Sequence, residues 1–229
     1  MRFYTDEAYD ETLNLLLGKA KLPPHAQALA SWIGREFDVE APGNIRFVMI
    51  KPLRIRARFE VIFKYADSAA AMVEKVRLAE IATPDLDPRP SIIDRFRTVS
   101  EGTRDEALSR LDIEVRFYSF EEPARWKVNS AMPDDQIERI EAKLAPFGVW
   151  KIFQSFDAIT FLFHTDEQLI QSPRNGARDA CQDIYARALS PYDGFGFFQR
   201  KPVRAHFDSR ERFERDFSGS WVEYARQYS

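Results

Sequence analysis

The chain has 229 residues with 33 Lys and Arg against 36 Asp and Glu, a net charge of −3, so no global field draws it to nucleic acid or an anionic membrane. No apolar run approaches the roughly 18 residues needed to span a bilayer, and Met1 to Glu7 lacks the basic start and apolar core of a signal peptide. One cysteine cannot form an internal disulfide, and the expected compartment is the cytosol.

In chain order, Arg2-Phe3-Tyr4 reads as a short strand and Tyr9, Leu13, Leu16 and Leu17 as the apolar side of a helix. Ala26, Leu29, Ala30, Ile33 and Phe37 recur at helical spacing and predict a helix over 26–37. Gly43 and Asn44 lead into a strand over Ile45–Ile50, and Pro52 precedes another over Arg54–Tyr65. Ser68 is the expected N-cap of a helix with Met72, Val73, Val76 and Ala79 inward. Thr83 to Pro90 holds three prolines, which remove backbone donors and disfavour regular structure. Short helices follow over Ser91–Val99 and Thr103–Leu111, the second with Thr103 and Glu106 at capping-box spacing. The domain boundary is placed in this stretch, giving domains 1–100 and 101–229.

From Asp112 to Phe207 the order is strand, helix, strand, strand, helix, strand. Ile113, Val115 and Phe117 alternate with Glu114, Arg116 and Tyr118, the period of a half-buried strand. Asp134 and Asp135 favour a helix start, Ile137, Ile140, Leu144 and Phe147 form its stripe, and Pro146 with Gly148 stops it. Trp150–Phe156 and Ala158–His164 form a tight hairpin across Asp157. After the break at Ser172–Gly176, a helix places Ala177, Ala180, Cys181, Ile184, Tyr185 and Ala188 on one side. Phe195–Phe207 returns as a last strand, interrupted by Gly196 and Pro202. This predicts an α+β fold, with a ferredoxin-like βαββαβ sandwich in the C-terminal half. Helix, strand, strand, helix also recurs in the N-terminal half, pointing to a second related α+β unit.

The chemistry these residues offer is limited. Cys181 on its apolar stripe reads as a small core residue. His25, His164 and His206 lack a second ligand at metal spacing, and Gly194-Phe195-Gly196 lacks the third glycine and the Lys-Ser/Thr of a phosphate loop, so no metal or cofactor is expected. His164 with Asp166 and Glu167, just past a strand end, is the one acid–base candidate, against the alternative that Thr165–Glu167 merely begins a helix. Arg54, Arg56 and Arg58 leave one face of one strand, and Arg46 and Lys64 can join them. Such a stripe wants an anion, unless Glu60 and other carboxylates neutralise it as a wet sheet face. Aromatics alternate to the other side, which counts against base stacking and hence nucleic acid. Phe213, Phe217, Trp221, Tyr224 and Tyr228 make a helical stripe that Ser218-Gly219-Ser220 should split. Docking on its own domain is expected, with a homo-oligomer or partner contact as the alternative.

Tyr192-Asp193-Gly194-Phe195-Gly196 resembles the Tyr-Asp-Gly-Trp-type signature of the regulator of ribonuclease activity B family, with Phe195 where the family usually has Trp. The resemblance implies a ferredoxin-like fold and a protein that, like founding members inhibiting ribonuclease E, acts by binding. Locally, Pro191 and Asp193 start a turn and Gly194 supplies backbone freedom. The expected function is a non-catalytic cytosolic regulatory protein working through contacts with another protein, without a membrane. The alternative is an anionic-ligand or enzyme site between the two domains.

Overall fold

The computed structural model describes residues 5–50, 56–100, 112–155 and 158–227. The chain divides into two compact units, Met1–Pro123 and Ala124–Ser229.

The first unit runs α1 (Asp6–Leu16), α2 (Pro24–Glu36), β1 (Asn44–Met49), β2 (Arg56–Phe63), α3 (Ala66–Ile81), a 3-10 turn (Pro84–Leu86), α4 (Pro88–Ser100) and β3 (Asp112–Ser119). Thr5 starts α1 by accepting the Ala8 amide on its hydroxyl, and Pro24 opens α2 at a position whose N–H would have no helical partner. β1 and β2 form an antiparallel hairpin, and β3 joins the far side of β2 in parallel. A parallel return needs a long crossover, which α3 and α4 provide. Phe59, Val61 and Phe63 point from β2 into a core with Leu29, Ile33, Met72, Ile92, Phe96 and Val115, leaving Arg58 and Glu60 to the opposite face.

α5 (Glu121–Ser130) contains the point of division. The second unit continues with α6 (Asp134–Leu144), β4 (Val149–Ser155), β5 (Ala158–Phe163), α7 (Asp166–Gln171), α8 (Ala177–Leu189), α9 (Phe197–Arg200), β6 (Arg204–Ser209), α10 (Arg210–Phe217) and α11 (Trp221–Arg226). β4 and β5 are antiparallel and β6 lies parallel to β5. Every residue of β5 is buried. One face packs Ile159, Phe161 and Phe163 against α6 and α8, while Leu162 on the other lies under Phe213 and Tyr224 of α10 and α11. The C-terminal aromatic stripe is thus consumed inside its own unit and split after Phe217, as Ser218-Gly219 requires with both residues at positive φ. Tyr228 lies outside the described residues.

The two units share more than element order. Ser119 Oγ accepts the Glu122 amide (3.4 Å) at the start of α5, and Ser209 Oγ accepts the Arg212 amide (3.0 Å) at the start of α10. Two residues past each serine, Glu121 accepts the Ala66 amide (2.9 Å) and Glu211 the Asp166 amide (2.7 Å), capping the helix that follows each hairpin.

Several expectations need correction. The βαββαβ sheet expected from Asp112 to Phe207 does not form, because its first strand, β3, pairs with β2; among the described residues each sheet has three strands. Parallel register sets Arg58 opposite Glu114 and Glu60 opposite Arg116, so opposite charges meet across this pairing. Consequently β3 belongs with residues before 100. Phe195–Phe207 is not a strand throughout, since α9 occupies Phe197–Arg200. Ser68 is not an N-cap, because α3 begins at Ala66. The proline stretch is ordered: Pro84 and Pro88 open a 3-10 turn and α4, where a missing N–H costs nothing. Arg2-Phe3-Tyr4 and Thr103–Leu111 lie outside the described residues.

Candidate functional site

Arg54 falls outside the described residues. Arg56 Nε reaches Asp112 at 2.8 Å and Arg58 Nε reaches Glu114 at 3.1 Å, both across the β2–β3 register. Arg116 binds the same Glu114 at 2.6 Å, and Arg46 bridges Glu60 (2.8 Å) and Glu11 (2.7 Å). Lys64 sits 4.9 Å from the centre of the Tyr65 ring. The stripe is therefore one column of a ladder of alternating charge. Burial pushes the Glu114 carboxyl up, but hydrogen bonds from Arg116 and Arg58 outweigh it and hold the group below the usual carboxylate range. A cleft of about 660 Å3 opens beside this ladder, lined by Arg56, Arg58, Arg116, Arg89, Ile93 and Val115 among others. Arg89 is occupied as well, by Asp87 (2.7 Å) and Glu80 (3.1 Å). An anion entering the cleft must compete with these carboxylates.

His164 and Asp166 are neighbours in sequence without forming a dyad. Thr165 and Gln168 make a reciprocal capping box at the start of α7, at 3.1 and 3.2 Å. Asp166 then accepts from the Ser209 hydroxyl and from Arg215 (3.0 Å), tying α7 to β6 and α10. Those two donors hold its carboxyl below the ordinary range. Among the described residues no hydrogen bond joins His164 to Asp166; the His164 side chain is exposed and its backbone N–H donates to Gly148. Cys181 is fully buried, and burial pushes its thiol up to about 12, far from a reactive thiolate.

The Tyr192–Gly196 motif builds a doubly capped turn. The buried Asp193 carboxylate accepts the amides of Phe197 (3.0 Å) and Phe198 (2.7 Å), the first two of α9. Buried Arg125 of α5 donates to the carbonyl of Phe197 (2.9 Å) and, past the other end of α9, to those of Lys201 (2.7 Å) and Pro202 (3.0 Å), with its guanidinium 4.2 Å from the centre of the Phe198 ring. The left-handed residue is Gly196, at φ 68°, and not Gly194. Phe195 stacks on Phe197 at 5.4 Å, and Tyr192 remains exposed.

Residue patterning missed a surface on α3. Val73 faces solvent (49 % exposed), as do Leu78 (42 %), Ile81 (68 %) and Leu86 of the following turn (58 %). Val73, Leu78 and Ile81 share one side of α3, with the Glu74–Arg77 ion pair among them at 2.6 Å. Met72 and Ala79 take the buried side. The available signal was that apolar residues go all the way round this helix.

No described helix is long and apolar enough to cross a membrane, and the described residues contain no group of three or more His, Cys, Asp or Glu able to hold a metal ion. No family model, curated protein or solved structure matches the chain.

Proposed function

We propose that this is a binding protein acting through contacts with another protein rather than through chemistry. The observation that carries this reading is the exposed apolar group Val73, Leu78, Ile81 and Leu86, where apolar area stands in water on a helix already anchored by its other side. The groups best suited to chemistry have architectural work: Asp166 and Asp193 organise helix starts, and Arg56 and Arg58 face carboxylates. The likeness of Tyr192–Gly196 to the regulator of ribonuclease activity B signature points the same way. A photo-crosslinking residue at Ile81 should yield a discrete protein adduct in cells, lost on Leu86→Glu. Adducts no different from those at exposed Glu138 would reject the reading. A second reading, a small carboxylate or phosphate ligand, is favoured by the cleft and its four guanidinium groups. It predicts a thermal shift by that ligand that disappears in Arg56→Gln/Arg58→Gln.

A further inference from the structure

We infer that β3 is a self-pairing edge, and that two copies of this chain join antiparallel about Val115 to make one six-stranded sheet. The inference is independent of the α3 contact surface. β3 ends its sheet, with β2 on one side and no further strand paired to it among the described residues. The Phe120 amide donates to Phe63 at 2.8 Å, so alternate residues counted back from it turn their peptide groups to β2. Ile113, Val115 and Phe117 therefore turn theirs outward, the arrangement that templates another strand.

The occupant is specified by the strand's own order. Rotation about Val115 sets Val115 against itself, Ile113 against Phe117, and Glu114 against Arg116 of the second copy. The last two pairs match apolar with apolar and acid with base. The match reaches further than the edge. One row across the sheet reads Arg46, Glu60, Arg116, with opposite charges at every step. Across the joint it continues with Glu114 and Arg58 of the second copy, so the alternation runs unbroken. On the other face Phe47, Phe59 and Val115 meet Val115, Phe59 and Phe47, extending the core row. Hydrogen bonding agrees, because the outward residues 113, 115 and 117 pair only with one another and give mutually bonded pairs. Residues 114 and 116 form the closer, non-bonded pairs.

Two measurements test this on the full chain. Sedimentation equilibrium should show a monomer–dimer equilibrium. Ile113→Pro removes one outward donor per copy and should weaken the dimer by roughly tenfold. Separately, Glu114→Cys and Arg116→Cys proteins should form a disulfide-linked dimer when mixed and oxidised, and far less of one when oxidised alone. Opposed residues of a non-bonded pair have Cα atoms about 4.5 Å apart, inside the roughly 4.4–6.8 Å range that disulfides bridge. The native thiol at buried Cys181 does not compete. A monomer at all concentrations, or cross-linking equal in mixed and single samples, would overturn the inference even if Ile113→Pro fails to fold.

Discussion

Replacing Arg125 with Met tests how the Tyr192–Gly196 turn is held. Arg125 is only 7 % exposed and donates to three carbonyls, that of Phe197 at the start of α9 and those of Lys201 and Pro202 just past its end. Met keeps the length and apolar stem but removes every donor. A hydrogen bond from a charged group contributes about 1.5–3 kcal/mol net. The three bonds share one side chain and do not add, so the loss is about 3 kcal/mol or more, each carbonyl left without a donor costing about 1–3 kcal/mol. For a unit of about a hundred residues, 1 kcal/mol corresponds to roughly 4–8 °C, so the melting temperature should fall by about 12 °C or more. Urea unfolding followed by tryptophan emission is the assay. Trp126, Trp150 and Trp221 lie in the second unit and only Trp32 in the first, so the signal reports mainly the affected part. Arg125→Lys keeps the charge without the planar fork and should recover less than half of the loss. A loss below about 1 kcal/mol for Met, or full recovery by Lys, would refute the reasoning.

The two glycines of the motif should separate cleanly. Gly194→Ala meets nothing within 4 Å and needs no left-handed backbone, so unfolding should shift by less than about 0.5 kcal/mol. Gly196→Ala has room, its nearest neighbour being the Gln199 side chain at 3.7 Å, yet sits at φ 68° and should cost about 1–2 kcal/mol; equal costs in a denaturation series would contradict this. For pH, the folded Glu114 carboxyl lies below its ordinary 4.5, so its contribution is fully present above that value and fades as pH falls through the lowered one. Acid titration of Glu114→Gln, followed by circular dichroism, should show a flatter loss of stability below about pH 4.5 than the unaltered chain, and identical curves would argue against the ladder.

Much of the local structure was legible in the residues. The stripes Ala26–Ile33, Ile137–Leu144 and Ala177–Ala188 became α2, α6 and α8, and β4 and β5 pair antiparallel where the strand residues put them. These features depend on neighbours a few positions away, where period and capping act directly. The same holds for the break in the C-terminal stripe. The partner of β3 was not of this kind. Alternation shows that Ile113, Val115 and Phe117 share a face, whereas pairing with β2 is set by residues such as Arg56 and Asp112, 56 positions apart. That one pairing also turned an anion-seeking arginine stripe into a neutralised ladder. Phe195–Phe207 read as strand because its aromatic density suits one, but Asp193 and, from 72 positions away, Arg125 satisfied the ends of a helical turn instead. On α3 the apolar residues surround the helix, so no period distinguishes core from surface; packing buried Met72 and left Val73 and Ile81 in water. Sequence thus specifies which segments form helices or strands through short-range sterics and hydrogen bonds, while pairing and exposure await the long-range contacts that only the folded chain supplies.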